Sequence, residues 1–194
     1  VARRRFVNHG YSGTSVSAIV RDAGVAQGTF YVYFGSKQAL LAELRREVFR
    51  DYAQALRKVA EGPGEADERL VSVIVEMVHV VHRNVELERV FRQAESAQDL
   101  ELTALQGRGK LAQMASALLV EGLGGHSMEV ENPLLVAQLL VTLFDNVLFE
   151  SLAYQRPANV VDTVMASLRL VLRGVGVTEM RLASLLSTVP GRLP

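Results

Sequence analysis

The chain has 194 residues, 49% of them hydrophobic and 22% charged, with 15 Gly and 5 Pro; this suits one or two globular domains and excludes a disordered, collagen-like or low-complexity protein. Cysteine is absent, which removes disulfide frameworks, thiolate metal sites and cysteine nucleophiles together. The formal net charge is zero, yet residues 1–60 hold 10 Lys+Arg against 4 Asp+Glu and residues 61–194 hold 11 against 17, an asymmetry that accompanies nucleic-acid or membrane contact or arises from solvated helix faces.

Sustained period-two alternation is missing, and Leu, Val, Ala and Glu recur near a period of 3.6, so the expected class is all-α. Val1 to Phe6 reads as helix interior without an N-cap, as if the natural start lay upstream. Breaks at Gly10-Tyr-Ser-Gly13, Gly24, Gly35-Ser36, Gly62-Pro63-Gly64, Gly122 to Ser127, Asn132-Pro133, Arg156-Pro157 and Gly174 to Gly176 delimit the elements. They predict short helices near 1–9, 15–22 and 26–33, and longer ones near 36–60, 65–84, 86–97, 99–122, 133–155 and 157–173, with a weak helix over 178–188. The expected domains are 1–38, a helix-turn-helix unit linked by the helix at 36–60, and 61–194, an antiparallel helical domain. No apolar stretch approaches the ~18 residues of a membrane span. The longest uncharged run, around Leu134 to Phe144, stops at Asp145, so a soluble, cytoplasmic chain without a membrane partner is expected.

Residues 14–34 have the layout of a DNA-reading helix-turn-helix. Ser15, backed by Thr14, is placed to cap a helix whose inner face is Val16, Ile19 and Val20. Gly24 stands where a sharp turn needs positive φ, and Val25 is expected to plug the angle between the helices. The second helix opens at Ala26; Gln27, Gly28 and Thr29 are small or hydrogen-bonding, while Phe30 and Phe34 face inward at i, i+4. Gln and Thr offer donors and acceptors to base edges in the major groove. Tyr31 and Tyr33 bring hydroxyls for phosphate or rings for a thymine methyl, and Lys37 starts the next helix, where ammonium and free N–H groups can hold a phosphate.

The run Phe6-(x)3-Gly10-Tyr11-(x)2-Thr14-Ser15-Val16-(x)2-Ile19-(x)3-Ala23-Gly24-Val25-(x)2-Gly28-Thr29-Phe30-Tyr31-(x)-Tyr33-Phe34-(x)-Ser36-Lys37-(x)2-Leu40-Leu41 resembles the N-terminal domain of the TetR family of bacterial transcriptional regulators. The resemblance implies double-stranded operator DNA as a partner, with Ser15, Ser17, Gln27, Gly28, Thr29, Tyr31, Tyr33 and Lys37 at the interface. It also implies homodimerisation on the last two long helices, 133–155 and 157–173, as a four-helix bundle. Three positions depart from the pattern: Thr14-Ser15 replaces two threonines, Arg5 takes a usually apolar place and either snorkels or turns toward DNA, and Ala26 replaces a small hydroxyl residue.

Beyond residue 60, Glu65, Glu68, Arg69, Ser72, Glu76, His79 and Arg83 form a stripe at spacings of three and four that most simply faces water. His82 lies off it, as a core histidine or a pocket-lining group; a His79/His82 metal pair lacks a carboxylate of known register, and no metal or cofactor is expected. The helix at 133–155 is apolar nearly all round, with Gln138, Thr142, Asp145, Asn146 and Glu150 as exceptions. That stripe either faces solvent or lines an apolar pocket beside Phe144 and Phe149; a buried Asp145 needs His82 or an arginine as partner. Phe91 and Met114 complete the candidate pocket, although these two, like Met77, Met128 and Met165, more often fill a core, and Met suits either. Gly107 and Gly109 mark either a kink near a pocket or low helix propensity. Leu123-Gly124-Gly125-His126-Ser127 is a connector.

Function therefore divides three ways: a repressor released by a small apolar or amphipathic effector, a helical protein-binding adaptor without DNA function, or an enzyme. The last is disfavoured by the absence of Gly-x-Ser-x-Gly, His-Glu-x-x-His and Gly-rich phosphate-loop motifs.

Overall fold

The computed structural model describes residues 1–94, 98–125, 128–154 and 159–194. The described residues form α1 (Ala2–His9), α2 (Val16–Ala23), α3 (Gln27–Tyr33), α4 (Lys37–Ala60), α5 (Ala66–Gln93), α6 (Gln98–Gly124), α7 (Pro133–Tyr154), α8 (Val160–Gly174) and α9 (Glu179–Ser187), with a 3-10 turn at Pro190–Arg192. Strands are absent among them. The fold is all-α, an N-terminal helix-turn-helix followed by a helical C-terminal segment. The expected breaks at Arg156-Pro157 and His126-Ser127 lie outside the described residues.

One expected break is absent. The helices read as 65–84 and 86–97 are a single α5 through residue 93. Asn84, a poor helix former at the expected boundary, is buried inside the helix and accepts a hydrogen bond from Arg3 Nη2 at 2.6 Å. Tertiary pairing overrides propensity there.

By contacts the chain groups into two units, residues 1–50 with 84–107, and residues 51–83 with 108–194. This grouping cuts through helices, whereas the breaks in the sequence set boundaries at helix ends. The first unit is built on Phe6, Ile19, Val20, Phe30, Leu41, Val48, Leu87 and Phe91, all buried. Arg5 donates through Nε and Nη2 to both oxygens of Asp22, at 2.6 and 2.8 Å, and so ties α1 to α2. This bidentate fork is what an arginine at an ordinarily apolar position does here. It holds the Asp22 carboxyl below its usual range.

In the second unit α7 packs on α8 and α8 on α9, around Leu70, Val78, Leu119, Phe144, Leu148, Leu168 and Leu172. Asn159 caps α8, its Oδ1 accepting from Asp162 N–H at 2.8 Å. The weak C-terminal helix is present as α9, held to α5 by Arg181, which donates to both oxygens of the buried Asp67 at 2.7 and 2.8 Å and to Glu68 at 2.9 Å. His79 Nε2 donates to the Arg192 carbonyl at 2.7 Å, so this histidine fastens the C-terminal turn instead of simply facing water.

Contrary to expectation, α7 is long and apolar enough to cross a membrane by length and composition, with 22 residues and a mean hydropathy of 1.5 over its best window. Halting the count at Asp145 hid this, since a window can tolerate a charge. A core helix passes the same test. Here Asp145 accepts from Arg108 Nη1 at 2.9 Å, and Ala137, Phe144 and Leu148 are buried within the chain.

Candidate nucleic-acid interface

The turn between α2 and α3 follows from its residues. Ser15 is the N-cap of α2, its Oγ accepting from Ala18 N–H at 3.1 Å, and Gly24 closes the helix at φ 68°, ψ 29°. A side chain at this left-handed position would be strained. Its neighbour Thr14 is fully buried, with Oγ1 donating to the Gly10 carbonyl at 2.8 Å; it is a structural residue. Val25 does not plug the inter-helix angle, being 45% exposed. The inward role falls to Phe30, buried with its ring centroid 5.5 Å from that of Phe34.

With Phe30 turned inward, the rest of α3 points out. Gln27, Gly28 and Thr29 are exposed, and Tyr31, Val32 and Tyr33 are 51%, 79% and 76% exposed. Ser15 and Ser17 are exposed on α2. Seven of the eight sequence-derived interface residues are therefore available to a partner from two adjacent helices. Val32 was missed; its signal was that three consecutive large residues on a 3.6-period helix cannot all follow Phe30 into the core.

Lys37, the eighth, is placed differently. Its ammonium donates to the Tyr11 and Thr14 carbonyls, each at 2.8 Å, and lies 4.2 Å from the centre of the Tyr11 ring. Two of its three donors thus fasten the 11–14 loop to the start of α4. The free N–H groups of α4 begin beside it, with Ser36 Oγ accepting from Ala39 N–H at 3.0 Å.

The residues expected to line a ligand pocket do not gather in one place. In the second unit Phe144 borders an apolar cavity of about 30 Å³ with Leu56, Leu70, Ile74, Met77 and Leu111. Gln138, Thr142 and Asn146 instead face out: Thr142 Oγ1 donates to the Gln138 carbonyl and Asn146 Nδ2 to the Thr142 carbonyl. Asp145 is half-buried on Arg108, Met114 is half-exposed, and Phe149 is buried with Tyr154 edge-on at 5.7 Å. His82 is exposed, which corrects the core reading; at its helix position Val78 and Val81 take the inner face. Phe91 is buried in the first unit. Polar side chains were the wrong marker for this cavity: its walls are apolar side chains of α4, α5, α6 and α7, each legible only as helical periodicity. Beside the outward polar row of α7 stand Leu135 and Leu139, 50% and 62% exposed.

Residues 1–44 match the family described as bacterial regulatory proteins, tetR family. The fatty acid metabolism regulator protein of Bacillus subtilis is 35% identical over 66 residues, 34% of each chain. The HTH-type transcriptional regulator EthR of Mycobacterium tuberculosis is 40% identical over 53 residues, 27% of this chain and 24% of its own. The matches thus span about a third or less of the length of these curated relatives. Among solved structures, the transcriptional regulator FadR from Bacillus subtilis in complex with stearoyl-CoA superimposes with a TM-score of 0.74 at 22% identity, over 90% of this chain and 95% of that one. The fatty acid degradation regulator FadR from Bacillus halodurans gives 0.73 at 24% identity with the same coverage.

Proposed function

We propose, from a chain whose residues 1–44 are an N-terminal domain of the tetR family, that the protein is a DNA-binding transcriptional regulator of the cytoplasm, released from its operator by a small amphipathic effector. The observation that carries this is the exposed row on α3, Gln27, Gly28, Thr29, Tyr31, Val32 and Tyr33, set on a turn with a Ser15 cap and a left-handed Gly24. Gln27 and Thr29 meet base edges in the major groove, Val32 and the tyrosine rings meet thymine methyls, and Ser15 and Ser17 meet phosphates. A homodimer through α7 and α8 places two such helices roughly 34–36 Å apart on a near-palindromic site. The exposed Leu135 and Leu139 support that interface.

The effector occupies the apolar cavity of the second unit. A mostly aliphatic lining favours a fatty-acyl or similarly amphipathic molecule, and the stearoyl-CoA held by the structurally similar Bacillus subtilis FadR supports the same class. Operator selection followed by gel shifts on the full chain tests the DNA reading. Gln27→Ala and Thr29→Ala are expected to relax preference at individual positions by about 1–3 kcal/mol each. Unaltered preference in both variants, or wild-type binding without a steep salt dependence, leaves the protein-binding adaptor as the better account.

A further inference from the structure

Inside the first unit, Arg45 on α4 is 3% exposed, and neither its Nε nor its Nη1 has a hydrogen-bond partner. Those two nitrogens carry three of the five N–H donors of a guanidinium that stays charged at any physiological pH. Two aromatic rings flank it, the guanidinium carbon lying 5.5 Å from the Phe49 ring centre and 4.9 Å from that of Phe91. The carboxylates of its own helix are directed elsewhere: Glu43 accepts from Arg46 and Arg50, and Glu47 and Asp51 are exposed. Ring faces offer a cation some compensation. They accept none of the in-plane N–H groups, and a buried charge left without acceptors is strongly unfavourable.

We propose that Arg45 is the receiving group of an oxyanion site inside the first unit, which takes the carboxylate or phosphate head of an amphipathic small molecule. A planar guanidinium flanked by rings keeps its N–H edges free for such a group, which would supply both the missing acceptors and the missing counter-charge. Phe91 is fully buried and Phe49 is half-exposed, so the head group enters on the Phe49 side. A Cβ on Gly107 would stand 2.5 Å from the Phe49 ring, so that ring packs directly on bare helix backbone of α6 at the half-exposed edge of the site. The site lies within one unit and its test uses no DNA, so its failure is separable from failure of the regulatory reading.

The test is calorimetric titration of the full chain with decanoate, decyl phosphate and the neutral decanol, each below its aggregation concentration. Wild-type protein is expected to bind both anions at least tenfold more tightly than decanol. Arg45→Met and Arg45→Gln are expected to lose that preference, and unliganded Arg45→Met to unfold at a temperature no lower than the wild type. Absence of saturable binding by either anion, equal affinity for decanol, or a preference that survives in either variant would overturn the site. So would failure of both variants to fold, because a guanidinium without partners cannot be what holds the unit together.

Discussion

Lys37 separates two roles that one side chain at the start of α4 can play. As a phosphate contact it contributes to DNA affinity and little to stability. As a strut between α4 and the 11–14 loop it contributes chiefly to stability. The geometry favours the strut, with two charge-assisted hydrogen bonds at 2.8 Å and a ring 4.2 Å away. Lys37→Met keeps the aliphatic stem and removes the ammonium. Hydrogen bonds to charged groups are worth ~1.5–3 kcal/mol each, but Lys37 is only half-buried and water replaces part of what is lost. The ring adds about 0.5–1 kcal/mol. A net loss of roughly 2–4 kcal/mol follows, or roughly 4–16 °C in Tm for a chain of this size.

The measurement is a pair of experiments on the full chain. Thermal unfolding gives the stability loss, and hydrogen exchange at the amides of residues 11–18 assigns it to the loop and the first turn of α2. The salt dependence of DNA binding is the second readout, since a phosphate contact removed lowers the slope by roughly one. A Tm within about 1 °C of wild type, together with a slope lowered by about one, would refute the strut and assign the ammonium to DNA.

Acid should loosen the second unit through Asp67. Its carboxyl is held below the usual range by the Arg181 guanidinium, so its contribution is complete above the unfolded pKa of ~3.9 and is lost as pH falls from there toward the lower folded value. Asp67→Asn should cost about 2–3 kcal/mol at neutral pH, discounted because Arg181 is partly exposed, and should flatten the acid limb of a stability–pH curve; an unchanged limb would assign that limb to other groups. Gly107→Ala should destabilise by about 1–2 kcal/mol despite Ala's better helix propensity, because the Phe49 ring must yield; Gly109→Ala, with no atom within 4 Å of its Cβ, should be neutral or stabilising. Leu139→Glu should lower dimer content in sedimentation while leaving the helical circular dichroism intact; an unchanged sedimentation profile would move the interface away from α7.

Local chemistry carried most of what was legible in the sequence. The Ser15 cap, the left-handed Gly24 and the inward Phe30 are each set by one or two residues and their immediate neighbours, so they could be read without coordinates. Interactions distant in sequence were not legible. Arg3 with Asn84, Arg5 with Asp22 and Arg181 with Asp67 depend on which helix faces which. A sequence read helix by helix sees only a solvated charge in each. The contacts of Lys37 were hidden for the same reason, because its partners are backbone carbonyls of a loop 23 and 26 residues away. The pocket failed differently. Gln138, Thr142 and Asn146 looked like orienting groups because they were the polar exceptions on an apolar helix, but a helix buried on most sides keeps its polar exceptions for the side that is not.

The small size of the cavity bears on how an effector could act. A volume of about 30 Å³ is far less than the ~300–1,000 Å³ of pockets that enclose small ligands. A fatty-acyl chain can enter only if the side chains around it, Phe144 and Met77 among them, move apart. On the proposal that such a ligand is the effector, the compact cavity is the state that binds it poorly and an expanded cavity the state that binds it well. That difference is the one quantity through which a ligand shifts an equilibrium. Moving a population from 1:99 to 99:1 needs ~10⁴-fold preference, about 5.5 kcal/mol; burying an alkyl chain at ~0.8 kcal/mol per CH₂ supplies that with about seven methylenes and leaves nothing for the cost of opening the cavity. Chains of ten or more carbons are consequently the expected effectors, and shorter ones should bind without releasing DNA.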